Sequence, residues 1–262
     1  MKMRGSVILV TFSIILTLSS CVSKKKLTYL QYSDKTVDYS IIDDEKMISV
    51  TPSAYKLMPY DNLYIRVLTP DPQYSELFNA NFGTGTITQE SAGLSGYSVD
   101  IDGNIELPYV GKVKVAGKTL SEVKMDLDSI FTKYVTDGSI IVRLVNNTVS
   151  VLGEVRSPGR YVIIKDRLNV FEALALAGDL SEYSNRQKVM LIRPSPYGPV
   201  IKEFSLTDRS ILASELYYIL PNDVLYAMPI QGRVFTTNSS IYSLFLSTIT
   251  TALVVISYFQ TL

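Results

Sequence analysis

Between two apolar ends, the middle of the chain shifts between periods of two and of about 3.6 residues. Leu63, Ile65 and Val67 stand at alternate positions and predict a strand. From Tyr97 to Pro108 the pattern predicts a hairpin. Val99 and Ile101 lead in, Asp102-Gly103-Asn104 turns, and Ile105 and Leu107 lead out. Leu120, Val123, Leu127, Ile130, Phe131 and Tyr134 then share one helical face. Thr119 and Glu122 form a capping box at the helix start, so a helix is predicted over 119–134. Ser139–Val145, Thr148–Leu152 and Lys188–Arg193 read as strands. A second capped helix begins at Asn169 with Glu172 and stops at Gly178.

Two short patterns recur. Gly111-x-Val113 with Gly117 is matched by Gly153-x-Val155 with Gly159, each after an apolar strand and before a capped helix. This suggests a duplicated strand-turn-helix unit with a joint near Asn147. Pro158-Gly159 predicts a type II turn in which Gly159 takes a positive φ. Leu220-Pro221-Asn222-Asp223 has the flavour of Met58-Pro59-Tyr60-Asp61, and each precedes an apolar strand.

The ends are different. Lys2 and Arg4 precede an apolar run from Val7 to Leu18, closed by Leu18-Ser19-Ser20-Cys21. A basic start, a run too short to span comfortably and a small-residue end predict a secretory signal peptide over 1–20. Leu, small, small, Cys resembles a bacterial lipobox, which implies lipidation of Cys21. A buried free thiol is the other reading of a lone cysteine. Residues 21–54 are polar and read as a tether, and Lys24–Lys26 within it are a solvated run or a contact with anionic head groups. From Val234 to Leu262 no residue is charged, and Tyr242 and Tyr258 bracket ~24 Å of helix. The segment 240–262 is therefore expected to be a transmembrane helix. Ser243, Ser247, Thr250 and Thr251 fall on one side of it. That stripe lines a pore or lets helices pack closely.

Composition narrows the chemistry. The chain of 262 residues has no His, one Cys and balanced charge, with 25 Lys+Arg against 25 Asp+Glu. Without His there is no Ser-His-Asp triad, Cys-His pair or HExxH zinc site. Paired carboxylates for glycoside hydrolysis remain formally available in Asp61, Asp100, Asp102, Glu106 and Asp223. Most of these sit beside Gly, Pro or Asn, where a turn explains them. No cofactor or metal is expected, and the neutral balance gives no nucleic-acid footprint.

Taken in order, the motifs resemble the Wza-like polysaccharide export lipoproteins. Tyr55-x-Leu57-x-Pro59-x-Asp61-x-Leu63-x-Ile65 is similar to the opening of their export domain. Asp102-Gly103-Asn104-Ile105-x-Leu107-Pro108-x-Val110-Gly111 with Gly117-x-Thr119 is similar to its hairpin and helix entry. Val151-x-Gly153-x-Val155-x-x-Pro158-Gly159-x-Tyr161, followed by Leu174-x-x-Ala177-Gly178, resembles the SLBB module. One departure is Tyr60, where the family has glycine between Pro and Asp. Another is length, since only one SLBB module follows. The resemblance implies an α+β fold, with an export domain over 55–147, one SLBB β-grasp-like module over 148–229 and a linker over 230–239. It implies a non-enzymatic subunit of a homo-oligomeric ring that passes capsule or exopolysaccharide across the outer membrane. The main domains would lie in the periplasm, held by lipid. The partner would be an inner-membrane polysaccharide co-polymerase of the tyrosine-kinase type. The alternative is a periplasmic lipoprotein that forms no pore and binds a soluble ligand through its β-grasp modules.

Overall fold

The computed structural model describes residues 27–31, 53–79, 96–135, 137–230, 233 and 239–261. The proposed signal peptide and Cys21 lie outside the described residues. Elements gather around two hydrophobic cores. One runs from Leu57 to Ile140 and the other from Val149 to Ala227.

The first core is built on strand β1 (Asn62–Leu68), where the period-two residues Leu63, Ile65 and Val67 are all buried. Strand β2 (Tyr97–Ser98) and strand β5 (Ser139–Leu144) flank it, both antiparallel, with Ile65 opposite Val142. Helix α1 (Pro72–Phe78) follows β1, capped by Asp71 with a proline in its first turn. Helix α2 (Leu120–Phe131) has the capping box, because Thr119 accepts from the Glu122 N–H and Glu122 accepts from the Thr119 N–H. Its buried side is Val123, Leu127 and Phe131, and Phe131 meets Phe78 of α1 edge-on at 5.0 Å.

The hairpin differs from the expected one. Strand β3 (Asn104–Leu107) pairs with β4 (Gly111–Lys114), Ile105 opposite Val113. The Asp102-Gly103-Asn104 stretch instead folds back on Asp100, whose carboxylate accepts from the Asn104 N–H at 2.7 Å. Ile101 is left 75% exposed rather than paired inward. Gly103 is required here, since its φ is +81° and a Cβ would stand 2.4 Å from that of Ala116.

The second core lies between a five-stranded sheet and helix α3 (Val170–Leu176). The sheet order is β10 (Val200–Phe204), β9 (Ser184–Arg193), β12 (Val224–Pro229), β6 (Thr148–Gly153) and β7 (Gly159–Val162). Only β12 and β6 are parallel. The short strands β8 (Leu168–Asn169) and β11 (Tyr218–Ile219) pair beside α3, and two 3-10 turns lie over 209–213 and 215–217. The capping box of Asn169 and Glu172 starts α3. Val170, Ala173 and Leu174 of α3 are buried.

Part of the stretch read as a tether is docked. Leu30 and Gln31 donate backbone N–H groups to Leu206 and Thr207, and the Tyr29 hydroxyl donates to Asp179 at 2.7 Å. The Tyr29 ring packs edge-on against Phe171, beneath the Arg186 guanidinium.

The Gly159 turn is a second correction. Gly111 and Gly153 both take φ +87°, but Gly159 does not enter the positive region and simply opens β7.

The C-terminal element is helix α4, Ser239–Thr261, of 23 residues. Among the described residues no helix is long and apolar enough to cross a membrane. The transmembrane helix expected over 240–262 is thus not found among the described residues.

Candidate functional site: the module junction and the hydroxyl face of the terminal helix

The recurrent Pro-x-x turns prove alike in three dimensions. In Met58-Pro59-Tyr60-Asp61 and Leu220-Pro221-Asn222-Asp223 the residue after proline has positive φ, +71° for Tyr60 and +65° for Asn222. In each the aspartate N–H donates to the carbonyl three residues back, at 3.2 Å. Its carboxylate in turn accepts from that residue's N–H, Met58 at 2.9 Å and Leu220 at 2.8 Å. The turn is thus closed from both sides, and each starts a core strand, β1 or β12.

Both aspartates are buried, Asp61 at 3% and Asp223 at 0% exposure. Such a charge needs partners. Asp61 accepts from the Tyr55 hydroxyl at 2.8 Å and from Asn146 Nδ2 at 3.2 Å. Asn146 Oδ1 also accepts the Asn62 N–H. Asp223 is held by a forked contact from Arg193, Nε to Oδ1 at 3.0 Å and Nη2 to Oδ2 at 2.8 Å. Burial pushes the Asp223 carboxyl above its ordinary pKa, and the Arg193 guanidinium pulls it part of the way back. Burial, followed by the Asp61 charge, holds the Tyr55 hydroxyl protonated well beyond its ordinary range. Tyr55 also lines one cleft with Leu220 and Pro221 of the second turn, so it stands at the module boundary.

A cleft of about 480 Å³ opens at the same junction. The first module contributes Tyr55 to Pro59 and Ile101 to Gly103, and the second contributes Arg193 to Pro196 and Pro221. Its walls are mainly proline and aliphatic carbon. The carboxylates considered for hydrolysis do not converge in it. Asp61 and Asp223 are saturated with donors, Asp100 closes its own turn, and Asp102 and Glu106 stand exposed on the hairpin. Among the described residues no group of His, Cys, Asp and Glu is arranged to hold a metal.

Ser243, Ser247, Thr250 and Thr251 of α4 are exposed on the helix surface. Thr250 and Thr251 donate to the Ser247 carbonyl at 2.9 and 2.8 Å. Their hydroxyl protons are therefore used within the helix, while their oxygens still accept. The stripe was legible in the spacing. The paired turns were legible as a similarity of sequence, but their burial and the Arg193 and Tyr55 partners were not.

Comparison with known proteins now bears on the first module. Residues 49–145 match the family described as polysaccharide biosynthesis/export protein. The EPS I polysaccharide export outer membrane protein EpsA of Ralstonia nicotianae is 37% identical over 91 residues, which is 34% of this chain and 24% of that protein. EpsA of Ralstonia solanacearum is 35% identical over 89 residues, 33% of this chain and 24% of the relative. The exopolysaccharide production protein ExoF of Rhizobium meliloti is 29% identical over 138 residues, 51% of this chain and 30% of that protein. The chain thus spans about a quarter of the length of the EpsA relatives. The resemblance to the polysaccharide export family holds over residues 49–145, the stretch that carries the Asp61 turn, the β3–β4 hairpin and α2.

Proposed function

We propose that this chain is a subunit of a passive outer-membrane channel that exports capsule or exopolysaccharide. The observation that carries the reading is the match of residues 49–145 to the export family, supported by relatives named as export outer membrane proteins. The finer parts follow from the chemistry. Cys21 carries the lipid anchor. The 148–229 module is of the SLBB β-grasp-like kind, on the strength of its mixed sheet wrapped on one helix. Copies form a ring, and α4 forms its wall as one of several helices. A helix with hydroxyls along one side and apolar residues along the other suits a barrel, where Ser243, Ser247, Thr250 and Thr251 face water and the other side faces lipid. Uncharged hydroxyls wet such a wall without holding the polymer by charge. The subunit does no bond chemistry, so polymer growth and an inner-membrane co-polymerase drive transport.

The test is the mass and image of the purified, lipidated protein in mild detergent, together with surface polysaccharide in a deletion strain. A ring with a lumen, and loss of surface polymer on deletion, are expected. A monomer that leaves export intact overturns the reading. The junction cleft favours a second reading, a ligand-binding lipoprotein without a pore, because its volume suits a small molecule. A monomer that binds a saccharide would mark that case.

A further inference from the structure

Among the described residues the five-stranded sheet ends in two unpaired edges, β7 on one side and β10 on the other. Strand polarity relates them. β10 is antiparallel to β9, β9 to β12 and β6 to β7, while β12 and β6 are parallel. β7 and β10 therefore run in opposite directions. A second copy in the same orientation, set beside the first, offers its β7 to β10 as an antiparallel partner.

The side chains agree with that pairing. Ile201 is in register with Ile192, Val224, Ser150 and Arg160 across the whole sheet. Those residues share the face away from α3, because the neighbours Val151, Leu191 and Leu225 are buried in the core on the other face. Ile201 and Glu203 on β10, and Arg160 and Val162 on β7, thus lie on one outer face. Ile201 is 62% and Val162 45% exposed, and both charged residues are exposed. Setting Ile201 against Val162 in an antiparallel ladder places Glu203 against Arg160. One apolar pair and one pair of opposite charge form together. A slip of one residue turns the faces over, and a slip of two loses the charge pair. Edge charges ordinarily keep copies apart. Here they are complementary between the two edges.

We infer that the β7 edge of one copy pairs with the β10 edge of the next, with Val162 opposite Ile201 and Arg160 opposite Glu203. Such a contact is head-to-tail, and head-to-tail contacts close into rings when the rotation permits. The inference rests on the export-ring reading and adds to it the contact and its register.

Full-length protein carrying Val162→Cys and Ile201→Cys together is oxidised in mild detergent. Directly opposed strand residues stand within disulfide reach, so a ladder of linked subunits is expected on a non-reducing gel. Val162→Cys with Tyr197→Cys, in the turn before β10 and outside the ladder, should give none. Arg160→Glu or Glu203→Arg alone should weaken self-association about tenfold, and the two combined should restore it. Oligomers of native mass that fail to link through 162 and 201, or charge variants that the exchange does not rescue, overturn this inference and leave the ring standing. A protein that stays monomeric overturns both.

Discussion

Gly153 stands where no side chain fits. A Cβ there would lie 2.2 Å from the Ala227 carbonyl oxygen on the parallel neighbour β12, in a backbone already at φ +87°. Gly153→Ala is expected to cost about 3 kcal/mol in urea unfolding. Gly159→Ala should cost well under 1 kcal/mol on the same scale, because its Cβ meets only the Tyr161 ring, from 3.7 Å outward. Equal losses would contradict the assigned geometry. The two glycines hold equivalent places in the sequence repeat, yet only the first needs to be glycine. Its need is set by a strand more than seventy residues away, roughly speaking, which spacing alone does not reveal. Arg193 and Asp223 teach the same lesson at a separation of 30 residues. The aspartate was visible as part of a turn, and its partner was not. Arg193→Leu leaves a wholly buried carboxylate without its cation and should cost about 3 kcal/mol. An unfolding midpoint unchanged by that substitution would mean the pair contributes nothing.

At the scale of elements, what the sequence disclosed was local. Both capping boxes are complete within four residues, and both helices start where Thr119 and Asn169 place them. Helix α1 escaped notice because its seven residues carry too little periodicity, although Asp71 before Pro72 was a usable start signal. Alternation alone assigns Val99 and Ile101 to a ladder with Ile105 and Leu107, whereas Asp100 closes a tight turn there. The capping glutamates also set a pH dependence. The Lys165 ammonium first, and then the Asn169 N–H, hold the Glu172 carboxyl below its ordinary pKa of 4.5. The folded pKa is lower than the unfolded one, so this stabilisation is present above the ordinary value and is lost as pH falls through the lowered one. Glu172→Gln keeps the cap but does not titrate. Its melting temperature should fall less than the wild type's between about pH 5 and about pH 3. For α4 the spacing of hydroxyls gave the stripe, and the wall reading of it has a direct check. Single cysteines at Ser243, Ser247 and Thr250 in the lipidated oligomer should react with a membrane-impermeant thiol reagent, and one at Ile249 should not. Protection of all four would remove the pore-lining role.

At the scale of the whole molecule, the strap at Tyr29–Gln31 is docked on the second module, and the C-terminal helix follows that module in the chain. Tyr29 to Gln31 are hydrogen-bonded to the second module through Asp179, Leu206 and Thr207. Five residues separate Cys21 from Leu27, a reach of at most ~22 Å over six steps. Helix α4 also follows this module, nine residues after β12 closes at about Pro229. If the lipid is on Cys21, the second module is tied to the membrane by both the docked strap and α4, and the first module, joined to it at the junction and by the chain that leaves Gln31, is held further away. The docking of Tyr29 sets that order, since its ring packs on Phe171 and its hydroxyl donates to Asp179. Fluorophores on Ala213 and on Met125, one on each module, can be compared in bilayers that carry a head-group quencher. Ala213 should be quenched more strongly than Met125 in the acylated protein. Tyr29→Ala, which removes the aromatic contact and the hydrogen bond, should narrow the difference by freeing the strap. Stronger quenching at Met125 would invert the arrangement and place the export-family module against the membrane instead.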